Sequence, residues 1–260
     1  MSSAEIDIHL EVKNISLSFM GVKAISDFSF RVKRGETCAL IGPNGAGKSS
    51  VLNILNGVYR ASSGEIILNG THLKNLTPIQ AAECGIGRMF QNNALFPKMT
   101  VLNNVMTGLS RKSNVTALEH ALRLPRSVRQ ESAFREKSLE TIKFLGLREY
   151  REAVVEGLPY GIQKRVGLAR ALVSEPEILL LDEPMAGMNR EEKREMSRLI
   201  LAIPEHLAVT IILIEHDIEV VTDLADHVVV LDYGRKLADG IPDDVMKDSN
   251  VIAAYLGTAH

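Results

Sequence analysis

The chain has only two cysteines in 260 residues, Cys38 and Cys84, with no metal-type spacing between them. Cys38 falls inside an apolar run, so both read as ordinary apolar filler, and neither a zinc site nor a disulfide framework organises the fold. Long apolar runs are missing too: none approaches the roughly 20 residues that span a bilayer. Residues 1–8 lack the basic and apolar segments of a signal peptide, which predicts a cytoplasmic chain. Charge of one sign is also absent, since 30 Lys and Arg against 32 Asp and Glu give a formal charge of -2. That leaves no broad basic field for nucleic acid. There is no internal repeat and no low-complexity tract. The length suits one large domain or two subdomains.

What is present is a glycine loop. Gly42-Pro43-Asn44-Gly45-Ala46-Gly47-Lys48-Ser49, followed by Ser50, fits the phosphate-loop pattern G-x-x-x-x-G-K-[ST]. In that pattern backbone N–H groups cradle phosphate oxygens, the lysine reaches the outer phosphates and the hydroxyl binds Mg²⁺. A chance match in a chain of this length arises on the order of one time in a hundred. Context agrees with function. Thr37 to Ile41 is a short apolar run that predicts a buried strand, and Val51, Leu52 and Leu55 fall at helical spacing after Lys48. The helix N-terminus adds free N–H groups and a positive dipole end.

From residue 6 to residue 41 apolar and polar residues alternate, predicting antiparallel strands beside this core. Residues 64–70 add another strand closed by a turn, and Thr77 with Pro78 opens a short helix. Residues 85–91 return toward the core. From residue 92 to about residue 175 the chain turns helical. Ser127 and Gln130 read as a capping box for a helix that runs to Gly146. Arg111, Lys112, Arg123, Arg126 and Arg129 in this insertion read either as a solvated helical face or as a contact for an acidic partner. Residues 177–182 are an unbroken apolar run of the kind buried in parallel sheets. Asn189 caps the next helix, and a further strand, residues 209–214, ends at Glu215-His216-Asp217. After a helix at 218–225, the strand 227–231 and a Tyr233-Gly234 turn finish the core. Strands alternating with helices predict a doubly wound α/β arrangement.

Asp182 and Glu183 lie at the C-terminal end of a buried strand, where open α/β sheets place their ligands. Two acids there are hard to explain as core residues, because uncompensated buried carboxylates are costly. A salt-bridged surface turn is the alternative. Beside Lys48 and Ser49 they acquire roles: Asp182 holds Mg²⁺ directly or through water, and Glu183 activates the attacking water. His216, at the end of another apolar strand, reads as a contact to the γ-phosphate or as a structural histidine.

Together these residues resemble the ABC transporter ATPases over essentially the whole chain. The resemblance implies a P-loop NTPase (RecA-like) α/β core with an antiparallel β subdomain and an inserted α-helical subdomain. One ATPase domain over residues 1–260 is then expected: core and β subdomain in 1–91 and 176–240, helical subdomain in 92–175, helical tail in 241–260. It implies ATP and Mg²⁺ as ligands, Gln91 as the glutamine that touches Mg²⁺ and faces the membrane subunit, and His216 as the switch histidine. Phe19 falls where the family places an aromatic that stacks on adenine, with core packing as the alternative.

The family's signature L-S-G-G-Q reads here Leu158-Pro159-Tyr160-Gly161-Ile162-Gln163. Pro159 replaces a serine that offers a hydroxyl and a backbone N–H to the γ-phosphate of the opposite subunit, and proline supplies neither. The composite site receiving Pro159, Tyr160 and Gly161 is therefore expected to be weakened. The Tyr-Gly variant, Met185-Ala186-Gly187-Met188-Asn189 and the ending Val251 to Gly257 are similar to one of the two ATPase subunits of branched-chain amino-acid importers. Asn189 stands where most family members have aspartate. Relatives importing urea, amides or aromatic acids, a soluble ABC ATPase not coupled to transport and a non-hydrolysing regulatory subunit remain alternatives. The implied partners are a second ABC ATPase subunit, different or identical, in a head-to-tail dimer; two permease subunits; and an extracytoplasmic substrate-binding protein. No nucleic acid is implied. The expected location is the cytoplasmic side of the inner membrane, as a peripheral subunit.

Overall fold

Alternating burial turns the N-terminal pattern into a hairpin. A computed structural model of the chain describes residues 7–74, 76–92 and 94–256. Residues 1–6 and 257–260, on which the expectations for the two ends of the chain partly rest, lie outside that range. Strand β1 (Ile8–Phe19) pairs antiparallel with β2 (Val22–Lys33) across a Met20-Gly21 turn in which both residues have positive φ. Next come β3 (Thr37–Ile41), β4 (Ser63–Leu68), β5 (Thr71–Leu73) and β6 (Ile86–Met89). The later strands are β7 (Ile178–Asp182), β8 (Thr210–Ile214), β9 (His227–Asp232) and β10 (Arg235–Gly240).

One sheet has the order β2-β1-β4-β5, and the other β10-β9-β3-β8-β7-β6. Strands β3, β7 and β8 are buried at every position, as continuous apolar runs require in a parallel sheet. Because β3 pairs in parallel with β8, and β8 with β7, their C-terminal ends lie side by side. Gly42, Glu183 and Glu215 follow directly from those ends. The sheet does not finish at the Tyr233-Gly234 turn, as the sequence suggests. Arg235–Gly240 returns as β10, antiparallel to β9. It is an edge strand with little apolar content, so periodicity hides it.

The helices are α1 (Lys48–Leu55), α2 (Pro78–Glu83), α3 (Val101–Thr107), α4 (Ala117–Ala121), α5 (Pro125–Phe144), α6 (Tyr160–Leu172), α7 (Arg190–Leu207), α8 (Ile218–Leu224), α9 (Pro242–Val245) and α10 (Ser249–Leu256). Thr77 and Gln80 form a reciprocal capping box on α2, and the Asn189 side chain accepts from the N–H groups of Glu191 and Glu192 on α7. The expected cap at Ser127 is corrected. Helix α5 starts at Pro125, whose fixed φ suits the first helical position, and Ser127 Oγ donates to the Leu124 and Glu119 carbonyls. Gln130 accepts from Ser113.

The chain divides into two compact units. The first comprises Met1–Arg88, Glu177–Glu183 and Ser197–His260, with an apolar core joining the two sheets through Leu10, Phe28, Leu40, Leu52, Leu180 and Ile212. The second comprises Met89–Pro176 and Pro184–Met196, in which α3 packs against α5 and α6. Among the described residues no helix is long and apolar enough to cross a membrane.

Candidate active site

The glycine loop joins β3 to α1, and its shape depends on residues without side chains. At Gly42, φ is 144° and an added Cβ would stand 2.0 Å from the Leu231 carbonyl oxygen. At Gly47, φ is 108° and a Cβ would meet Ile25 Cδ1 at 2.6 Å. The loop is thus wedged between β9 and the β1–β2 hairpin, and the Gly234 N–H donates to the Ala46 carbonyl at 2.8 Å. Lys48 is buried, and its ammonium donates to the Gly42 and Pro43 carbonyls at 2.8 and 2.9 Å. Burial lowers its pKa, while Glu183 and Asp182 act in the opposite direction. A cavity of about 220 Å³ is lined by Asn44, Gly45, Lys48, Ser49, Glu183 and His216.

Glu183 follows β7 with φ of 48°, a left-handed turn uncommon for a residue with a side chain. The turn is fixed by a bond from its N–H to the Ile214 carbonyl at 3.0 Å. Its Oε1 lies 2.5 Å from His216 Nε2 at the end of β8. One residue earlier, Asp182 is buried against Arg88, whose guanidinium donates to Asp182 Oδ2 at 2.8 Å and to Asn53 Oδ1 at 2.6 Å. Arg88 escapes a reading by motif, although a buried acid signals that some cation must reach it.

Phe19, at the tip of the β1–β2 hairpin, is 44% exposed, so core packing is not its environment. It meets Tyr59 edge to face with ring centroids 5.1 Å apart, and Tyr59 is a second aromatic the sequence does not announce.

Gln91 and the signature segment belong to the second unit. Pro159 is the N-cap of α6 and gives it no side-chain cap. Tyr160 is exposed beside Gly187, where a Cβ would meet its ring at 3.1 Å. A Cβ on Gly161 would meet Glu192 Oε1 at 2.5 Å, so the start of α6 lies close against the Glu192 side chain of α7. Lys164 is fully buried, with its ammonium 2.8 Å from the Gln91 carbonyl and 5.6 Å from the Tyr160 ring centroid. A lysine of the signature helix therefore holds the Gln91 loop. A Lys164→Met variant is expected to speed amide exchange in that loop about tenfold or more, since a charge-assisted hydrogen bond contributes about 1.5–3 kcal/mol. Hydrogen-exchange mass spectrometry reads this directly; unchanged exchange at Gln91 would remove Lys164 from that role.

Residues 25–186, which carry the phosphate loop, the acid pair and the signature segment, match the family described as ABC transporter. The chain belongs to the ABC transporter family. It is 37% identical to the high-affinity branched-chain amino acid transport ATP-binding protein LivG of Salmonella typhimurium, over 96% of this chain and 98% of that one. It is 36% identical, with the same coverage, to the protein named BraF of the same description in Pseudomonas aeruginosa. Residues 235–260 match a family described as branched-chain amino acid ATP-binding cassette transporter. A solved ATP-binding cassette of an ABC transporter in its ADP conformation superposes with a TM-score of 0.84 at 28% identity, covering 96% of this chain and 99% of that one. A dimeric cassette in a post-hydrolysis state, bound to ADP and Pi, superposes with a TM-score of 0.74 at 25% identity, covering 90% of this chain and 98% of that one. The fold is accordingly the family's P-loop NTPase core with an antiparallel β subdomain and inserted helices.

The donors available for a metal are hard oxygens. Among the described residues no group of three or more His, Cys, Asp or Glu is gathered to hold an ion. Mg²⁺ is usually bound through one or two carboxylates together with substrate phosphates and water, and a carboxylate and a hydroxyl are present beside the phosphate loop. Asp182 and the Ser49 hydroxyl are the groups of the first unit suited to hold it.

Proposed function

We propose that this chain hydrolyses ATP with Mg²⁺ on the cytoplasmic face of a membrane and powers uptake of branched-chain amino acids through separate permease subunits. The observation that carries the chemistry is the Glu183–His216 pair facing the phosphate-loop cavity. The cargo reading rests on full-length similarity to proteins named for branched-chain amino acid transport. In the site, the Lys48 ammonium exchanges its loop carbonyls for phosphate oxygens when ATP enters. The Glu183 carboxylate accepts a proton from the attacking water, and His216 fixes that carboxylate. Ser49, Asp182 and Gln91 would hold Mg²⁺, which would supply charge neutralisation on the phosphates. Phe19 faces adenine.

In this reading residues 92–175 form the helical subdomain, and Pro159, Tyr160 and Gly161 serve the ATP of a second ATPase subunit. The test is uptake of labelled leucine into vesicles holding the permease pair, the binding protein and this chain. ATP-dependent uptake lost in Glu183→Gln supports the reading. Uptake of urea or an aromatic acid in place of leucine reassigns the cargo.

The Pro159 substitution makes a further prediction. Pro159→Ser restores a hydroxyl and an N–H donor, and it caps α6, an N-cap change typically worth ~1 kcal/mol. Nucleotide trapping at the partner's site is expected to rise toward that of the stronger site. Site-resolved trapping that stays unequal by the same ratio would show that Pro159 does not weaken that site.

A further inference from the structure

The helical insertion of the second unit carries charge and apolar surface that the ATP site does not use. Residues 109–130 hold Arg111, Lys112, Arg123, Arg126 and Arg129 against Glu119 as the sole acid. Arg126 donates to the Asn114 carbonyl and lies 3.7 Å from Glu119. Lys112, Arg123 and Arg129 are exposed as well. Between them sit two apolar pairs, each one helical turn apart. Leu118 and Leu122 are 68% and 62% exposed, and Leu124 and Val128 are 40% and 46% exposed.

These leucines are not loose ends. Thr116 and Glu119 bond reciprocally at the start of α4, and the buried Ser127 hydroxyl ties α5 back to the Glu119 carbonyl. Ser113 Oγ donates to Gln130 at 2.9 Å. Polar bonds thus fix the local structure of this segment while Leu118, Leu122 and Leu124 stay exposed.

We propose that this hairpin seats on an anionic membrane surface, with Leu118, Leu122, Leu124 and Val128 entering the boundary between headgroups and acyl chains. Lys112, Arg123 and Arg129 then meet lipid phosphates. Charge complementarity selects the occupant: exposed apolar residues interspersed in the chain with the exposed cations Lys112, Arg123 and Arg129 suit an interfacial segment on anionic lipid. The proposal rests on the reading that the chain works at a membrane, and adds that it contacts lipid as well as permease.

The test is flotation of the full chain with vesicles of phosphatidylcholine, with and without phosphatidylglycerol. Binding is expected on the anionic vesicles and is expected to weaken with added salt. Arg123→Gln with Arg129→Gln is expected to weaken it about 25-fold, each basic residue near such a surface contributing a factor of about five. Leu118→Ser with Leu122→Ser is expected to weaken it at least about tenfold. Melting temperature and ATP turnover in solution should not move in either variant. Equal binding to neutral and anionic vesicles, or variants that float like the wild type, overturns the proposal. Flotation only when the vesicles contain permease also overturns it and assigns the patch to that protein. Loss of leucine specificity in the uptake assay would leave this flotation result untouched, so the two readings fail separately.

Discussion

Glu183→Gln is expected to lower ATP turnover by about 10²–10⁴, the range for removing a general base, while nucleotide binding stays within a few-fold of wild type. Gln matches Glu in size and keeps an oxygen for His216, whose Nε2 lies 2.5 Å from Glu183 Oε1. The left-handed turn at residue 183 is set by backbone, including the bond to the Ile214 carbonyl, and the amide does not disturb it. Nothing in the phosphate loop changes either, because Lys48 is held by the Gly42 and Pro43 carbonyls. What disappears is the carboxylate proposed to take the water's proton. Single-turnover hydrolysis and equilibrium binding of a fluorescent nucleotide separate the two effects. Turnover within threefold of wild type would make Glu183 a structural residue at a strand end, and the general-base role would pass elsewhere. His216→Ala should show part of the same loss, because Glu183 then lacks the group that orients it.

The legible parts of this chain are those whose signal is local. The phosphate loop declares itself because its glycines, lysine and serine must be consecutive to wrap one phosphate. The buried strand at 178–182 declares itself because a strand covered on both faces cannot alternate. Residues defined by a distant partner do not declare themselves. Arg88 reads as one polar position on a short strand until Asp182, 94 residues away, is placed against it. Nothing in the sequence around Lys164 points to the Gln91 carbonyl, 73 residues away, to which it donates. Strand β10 is polar at the sheet edge, so no hydrophobic period marks it. At Ser127 two local rules compete, and the fixed φ of Pro125 decides where the helix begins.

Arg88→Met is expected to destabilise the protein by about 3–5 kcal/mol, the usual effect of removing one partner of a buried ion pair. The Arg88 and Asp182 side chains are only 5% and 8% exposed, so water cannot replace the lost guanidinium. Asn53 loses its donor at the same time, since Arg88 spans both acceptors. A methionine fills the volume of the arginine stem, which isolates the electrostatic effect from a cavity. In a chain of this length the loss corresponds to a fall in melting temperature of roughly 10 °C. The decisive comparison is Arg88→Met with Asp182→Asn, which removes both charges together. If the effect comes from a stranded carboxylate, the double variant recovers much of the stability lost in Arg88→Met, and the cycle shows strong coupling. If the single and double variants melt alike, Asp182 does not depend on Arg88 and the destabilisation belongs to Asn53 or to packing. Arg88 contacts Asp182 through Oδ2. One carboxylate oxygen is thus engaged by the protein's own cation, and in the proposed reading the same carboxylate would also serve Mg²⁺. Magnesium titration of the Arg88→Met variant, read by its rise in melting temperature with ATP present, is therefore expected to give a larger stabilisation than in the wild type. Equal stabilisation of the two would mean that the guanidinium and the metal do not act on the same carboxylate.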